Sequence, residues 1–237
     1  MGNDRLIGMT TGTLFKSIPA VSSDIIKIHK RLGGGAIEIG CIRKQDICGL
    51  ADLDAVDIRK HFAHVSIHAP TDLRYKLNFE TMSVLGHITR AHERFNFDCV
   101  VIHPDTVDDW SVLKNLSLPI SVENSDWRKK SYGTVSNLEQ LFEINNFGFV
   151  LDLNHCFSID PLMRLAQLMI EKFYDRISEI HLSGFVEYHE PLFLTRQLEI
   201  LNAVPEKGNI PIILEGVCED MAAALAEVIY VKKYLNR

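Results

Sequence analysis

The chain has no basic surplus, no cysteine pair and no long apolar run. Lys and Arg number 25 against 31 Asp and Glu, a formal charge of −6. A protein that grips a nucleic-acid backbone by bulk charge usually carries an excess of cations, so that class is disfavoured, although a local basic groove stays open. Cys41, Cys48, Cys99, Cys156 and Cys218 are dispersed without a CxxC pair. This gives no spacing for a disulfide framework and points to reduced thiols in a cytoplasmic protein. The opening MGNDRLIGMT lacks the layout of a secretory signal, and no stretch approaches a membrane span. There is no low-complexity linker and no repeat of 20 to 50 residues.

What is present is an alternation. Eight short Val/Ile/Leu-rich runs fall at 6–9, 36–39, 64–67, 99–102, 120–122, 149–153, 177–182 and 212–214. Near-continuous apolar runs of this length are expected of parallel strands covered on both faces. Between them lie helical stretches. Ser22-Ser23-Asp24 opens one and Gly33-Gly34-Gly35 stops it; an amphipathic stretch occupies 75–95. Ser136-Asn137 begins another helix, which stops near Asn145-Asn146. Asp160-Pro161 supplies a cap and first-turn proline for 162–173, and Asp220 caps a last helix over 221–234. Eight strand–helix units in 237 residues predict an α/β fold, a (β/α)₈ TIM barrel spanning 1–237 as a single domain.

Polar residues stand where six consecutive strands should end: His68, His103, Glu123, Asp152 with His155, His181 and Glu215. In a parallel barrel these ends share one rim, where barrel active sites lie. Each alone is explained as a hydrogen-bonded loop-start residue. Together they are not, because three carboxylates on one rim repel unless a cation intervenes, and imidazole is a common partner for one. Four histidines and three carboxylates exceed the needs of one ion. Two or three divalent ions, bridged by a carboxylate, use them all. Zinc fits this donor set first; manganese and iron suit it too.

Other groups read as ordinary. His29, His61, His87 and His92 fall on helices as surface groups, and His64 starts the third strand, at the end of the barrel away from chemistry. Arg128-Lys129-Lys130 reads as a solvated loop, and Gly33–35 as a helix stop, not a phosphate cradle.

The ordered strand ends resemble the xylose isomerase-like TIM barrel superfamily, which includes apurinic-site endonucleases of the endonuclease IV type (AP endonuclease family 2) and sugar isomerases and epimerases. The likeness covers strands three to eight. It implies a shared core of Glu123, Asp152, His181 and Glu215. His68 and His103 match the additional histidines of the endonuclease branch, and Asp152-Leu153-Asn154-His155 matches its Asp-x-x-His, with His155 at a third ion. Glu187-Tyr188-His189 stands where that branch has Asp-x-His, making His189 a ligand candidate. The segments His181–Gly184 and His189–Pro191 also resemble a branch of iron-containing multinuclear oxidases. Two features depart from the endonucleases: no tyrosine follows closely behind His68, and the loop Asp105-Thr106-Val107-Asp108-Asp109 is acidic.

The leading expectation is therefore a metal-dependent hydrolase of phosphate esters, acting on an abasic nucleic acid or a smaller phosphorylated substrate. Glu215 would orient the water and Glu123 would bridge ions. Arg43 and Lys44 are available to a phosphate. The alternative is a sugar isomerase or epimerase in which Glu123 and Glu215 exchange protons, a reading that Glu38 on strand two favours. A multinuclear oxidase or an inactive metal-binding barrel completes the set. Partners would be a small phosphorylated or sugar molecule, with weak nucleic-acid binding and no membrane.

Overall fold

The computed structural model describes residues 5–206 and 208–236. The first four residues of the N-terminal stretch read above lie outside the described residues. Eight parallel strands close into one barrel in sequence order: β1 (Ile7–Thr10), β2 (Ala36–Gly40), β3 (His64–His68), β4 (Cys99–Ile102), β5 (Ile120–Glu123), β6 (Gly148–Asp152), β7 (Ile177–Leu182) and β8 (Ile212–Leu214). Closure is made by β1 on β8, with Ile7 opposite Ile212 and Met9 opposite Leu214. All eight expected runs are strands, three with the expected bounds and five shifted by one residue at one end or both.

Two apolar layers result from the alternation of side chains along each strand. The larger lies between sheet and helices, where Ile37, Ile39, Ile67, Val100, Ile102, Val122 and Leu151 meet residues such as Ile25, Ile58, Ile88 and Leu138. The bore holds a separate, smaller cluster of Cys99, Val101 and Val150. No described helix is long and apolar enough to cross a membrane.

The helix signals hold at most ends. Ser22 accepts from the Ile25 amide to open helix Ser23–Leu32, and Gly33, at φ 70°, ends it in the left-handed region. Asp220 caps helix Met221–Leu235 through the Ala223 amide. Helix Val135–Ile144 starts one residue before Ser136, after Thr134 at its N-cap.

Three expectations are corrected. The stretch at 75–95 is helical only over Phe79–Phe95, capped by Asn78. Tyr75 instead turns into the core, its hydroxyl donating to Pro70 and its amide to Thr106. The helix expected at 162–173 begins at Arg164, because Met163 takes a left-handed conformation while Asp160 accepts from the amides of Leu162 and Leu165. His29 is not a surface group: it is 2% exposed, in the buried stripe with Ile25, Ile26 and Leu32, and burial pushes its pKa down to about 4. His61 is exposed and His87 and His92 are half-buried.

Candidate metal centre

Because all strands run parallel, their downstream ends form one rim, and the strand-end residues come together there. His68 is the last residue of β3. Its Nδ1 lies 3.0 Å from its neighbour's carbonyl, Ala69 O. With that nitrogen donating, Nε2 is directed at the centre, 3.1 Å from His103 Nε2 and 3.5 Å from Glu123 Oε2. His103, directly after β4, approaches the same carboxylate oxygen at 2.9 Å. Two imidazole nitrogens and a carboxylate oxygen facing one point is the arrangement a cation needs.

Glu123 closes β5, and Asn124 beside it ties β5 to β6: its amide group donates to Asp152 O and its Oδ1 accepts from Asp152 N. Asp152 divides its carboxylate. Oδ1 caps helix Leu153–Ile159 by accepting from the His155 amide, while Oδ2 is buried with no hydrogen-bond partner. The Asp-x-x-His spacing thus works as a helix cap that leaves one oxygen for the site. His155 gives Nδ1 to Asn124 O at 2.7 Å, leaving Nε2 at 3.4 Å from Asp152 Oδ2. His181 on β7 gives Nε2 to Glu179 Oε1 at 3.2 Å, and its Nδ1, buried and unpaired, faces Glu215 Oε1 at 3.3 Å and Glu123 Oε1 at 3.6 Å. In all three histidines one nitrogen is held by a fixed acceptor and the other is presented to the centre, the usual preparation of a metal ligand.

His189 lies on the rim, with Nδ1 3.0 Å from Ser183 Oγ and 3.6 Å from Glu215 Oε2. Asn154 holds its loop by donating to Gly184 O and Tyr188 O. Glu187 is exposed and its amide donates to the Glu190 carboxylate, so the structure does not bring its carboxylate to the centre.

Charge confirms the crowding. Burial would raise the Glu123 carboxyl, but His103 and His181 draw it well below its ordinary value. Glu215 goes the other way, raised well above by burial and then by Glu123, Asp152 and Glu38. Asp152 is pushed up to about 6, chiefly by burial. Burial opposes a charge on His68, yet Glu123, Glu38 and Glu215 lift it to about 9. Burial lowers His103, and lowers His189 to about 3.

Two sets of potential ligand atoms share Glu123: His68 with His103 and Glu123, and Glu123 with Asp152, His181 and Glu215. Three of these atoms, Glu123 Oε2, Asp152 Oδ2 and His181 Nδ1, are buried without a hydrogen-bond partner in the protein. Buried polar atoms are rarely left so, and the residues therefore fit divalent ions. His155 and His189, with ring centroids 5.6 Å apart, stand beside these sets.

Above the centre opens a cleft of about 510 Å³, walled by Phe15, Pro19, Ala20, Ile42 and Val217, with Arg43 and Asp46 at its side. The rim charges are largely spent on one another. Lys44 pairs with Glu80, Lys129 with Asp105, Arg74 with Asp108 and Arg128 with Asp126. Two expectations from the sequence change accordingly. The loop at 105–109 is not a free acidic field, because Asp105 and Asp108 are paired. Arg128 is not simply solvated, since it also lies over the Tyr188 ring, 5.2 Å from its centroid.

Sequence reasoning missed Glu179. It bonds His181 on one side and, at 2.6 Å, His64 on the other. The signal was available in part: two residues before His181 on a strand means the same face.

No protein-family model and no curated protein sequence matches the chain. Solved structures do. D-allulose 3-epimerase from Methylomonas sp. aligns with 98% of this chain and 99% of its own at 15% identity, TM-score 0.66. Endonuclease IV from Thermus thermophilus aligns with 92% and 94% at 14% identity, TM-score 0.67. An L-ribulose 3-epimerase aligns with 98% and 94% at 14% identity, TM-score 0.67. At these identities the likeness is one of fold: the chain is a closed (β/α)₈ barrel, and the same fold carries both endonuclease IV and sugar epimerases.

Proposed function

We propose that the chain is a metal-dependent phosphoesterase with a multinuclear centre of the endonuclease IV type, acting on a small phosphorylated molecule. The observation that carries this reading is the sharing of Glu123 between two sets of ligand atoms, which a single-ion isomerase does not require. His68, His103 and Glu123 would hold one ion, and Glu123, Asp152, His181 and Glu215 a second. His155 and His189, with ring centroids 5.6 Å apart, would serve a third. Zinc suits these donors, as do manganese and iron. Bound divalent ions supply Lewis-acid stabilisation of charge on phosphoryl oxygens and lower the pKa of water. Glu215 lines the cleft beside His181 and His189, where its carboxylate would orient the attacking water.

Elemental analysis of protein purified without chelators should give two or more ions per chain. One ion or fewer, with phosphoester hydrolysis absent, would favour the isomerase. That second reading draws on Glu38, which is buried on β2 with neither carboxylate oxygen hydrogen-bonded. Glu38 does not line the cleft, and this keeps the isomerase second.

The cleft also speaks to substrate size. Arg43 lines it, while Lys44, Lys129 and Arg128 are each engaged by a carboxylate. One guanidinium and a short apolar wall match a single phosphate on a compact molecule better than a polynucleotide backbone. Arg43→Ala should raise KM for a phosphomonoester by roughly 10- to 100-fold, the worth of a charge-assisted hydrogen bond, with kcat changed far less. Binding to undamaged duplex DNA should be weak. A steep fall of DNA affinity with salt, near −0.9 in logarithmic slope per phosphate contacted, together with rapid incision beside an abasic site, would overturn the small-substrate reading.

A further inference from the structure

The bore of this barrel is largely polar. In barrels of this type the interior is ordinarily filled by layers of branched apolar side chains. Here its apolar part is Cys99, Val101 and Val150, and beside them His64, Glu38, Ser66 and Glu179 are buried. Glu179 is fully buried and does not line the cleft, so it meets no substrate. A carboxylate at that depth is costly unless it is bonded on both oxygens, and Glu179 is. Oε1 takes His181 Nε2 at 3.2 Å and Oε2 takes His64 Nε2 at 2.6 Å. His64 opens β3, four strands from β7 around an eight-stranded ring. The two side chains therefore meet across the axis, joining the lower end of the barrel to the centre at its upper end. Below, His64 Nδ1 lies 3.8 Å from Asp98 Oδ2, an oxygen fixed by the Val65 amide and by Arg59.

We infer that Glu179, anchored by His64, is a positioning residue for the metal centre: it holds His181 with Nε2–H directed down the bore and Nδ1 directed up, toward Glu123 and Glu215. This rests on the reading of His181 as a ligand. His68 and His155 achieve the same orientation through the main-chain carbonyls of Ala69 and Asn124. His181 alone of the three uses a carboxylate, which both fixes the ring and makes the ligating nitrogen more basic. Glu38 Oε2 is 3.3 Å from the same Nε2 but makes no hydrogen bond, so it adds negative potential without setting direction. The device acts on one ion of the centre, the one that His181 serves.

The test is zinc affinity of the metal-depleted full chain, read by competition with a chromophoric chelator, together with ¹⁵N spectra of the histidine rings in the zinc-loaded protein. Glu179→Met should weaken the step of the zinc isotherm assigned to His181 by its ring signals by about 10- to 100-fold. The step assigned to His68 and His103 should stay unchanged, and the His181 Nε2–H signal should be lost or averaged. Glu179→Gln, which keeps an acceptor oxygen, should recover most of the affinity. His64→Leu leaves His181 and its acceptor in place and covers the case in which Glu179→Met does not fold; it should shift the same step in the same direction by less. Wild-type affinity and an intact Nε2–H signal in these variants would overturn the inference, as would equal losses at both steps. A wild-type protein that binds no zinc through His181 would overturn the metal centre itself, and this inference with it.

Discussion

Glu123→Gln is expected to strip the centre of metal far more thoroughly than any change at the rim. Its Oε2 lies 2.9 Å from His103 Nε2 and 3.5 Å from His68 Nε2, while Oε1 faces His181 Nδ1 at 3.6 Å. The carboxylate thus presents one oxygen to each set of ligand atoms, and glutamine replaces one of those oxygens with a donor that repels a cation. It also removes the negative charge that sits among four imidazoles. Breaking a buried, paired charge costs about 3–5 kcal/mol, which corresponds to a loss of metal affinity on the order of a hundredfold or more. His189→Ala is the comparison. That ring is 26% exposed, lies on a loop and stands outside both sets, so its loss should cost only about tenfold, the lower end for a peripheral partner. Chelator competition and metal content of the two variants, prepared side by side, measure the difference. Equal losses, or a larger loss for His189→Ala, would show that Glu123 does not bridge.

The barrel and most of the rim were legible in the sequence because both depend on local signals. An apolar run that ends in a polar residue marks a covered strand meeting a loop, and parallel closure turns six such ends into one place. His68, His103, Glu123, Asp152, His181 and Glu215 needed nothing more. His155 needed only its spacing from Asp152, since three residues is one helical turn. What escaped depends on contacts that no local window contains. Tyr75 continues an amphipathic pattern, yet the loop after β4 takes its amide through Thr106, and Asn78 starts the helix later. The partner of Glu179 is His64, 115 positions away and on the opposite wall. His64 was assigned to the end of the barrel away from chemistry, correctly by position, but position along a strand does not reveal that a side chain reaches inward across the bore. His29 is different in kind. Its place four residues after Ile25 on one helical face was readable, and residue type was allowed to outweigh periodicity.

Zinc affinity should climb steeply with pH between about 6 and 9. The sign follows from which ligands hold protons in the metal-free protein. Raised pKa values mean that the protonated form persists to higher pH, and an ion must then displace the proton to bind. His68, lifted to about 9, carries its proton at neutral pH. Glu215 is raised well above the usual carboxylate range by burial and by its neighbouring carboxylates, so an ion must displace its proton from higher pH than for an ordinary carboxyl. Asp152, at about 6, adds a third proton only in more acidic solution. His189, lowered to about 3, offers a bare nitrogen throughout, and His103, lowered by burial, contributes less to the slope than an ordinary imidazole. Each displaced proton changes the apparent association constant about tenfold per pH unit. Affinity should therefore rise by about 100-fold or more from pH 6 to pH 8, fall more steeply still below 6, and level off above 9. Chelator competition across this range gives the slope, and calorimetry in buffers of different ionisation enthalpy counts the protons released. His68→Gln should weaken binding at every pH but also flatten the profile by close to one proton between 7 and 9. A wild-type profile already flat over 6 to 8 would mean that the carboxylates and imidazoles of the rim stand deprotonated before the ion arrives, and that their closeness does not lead them to hold protons in its place.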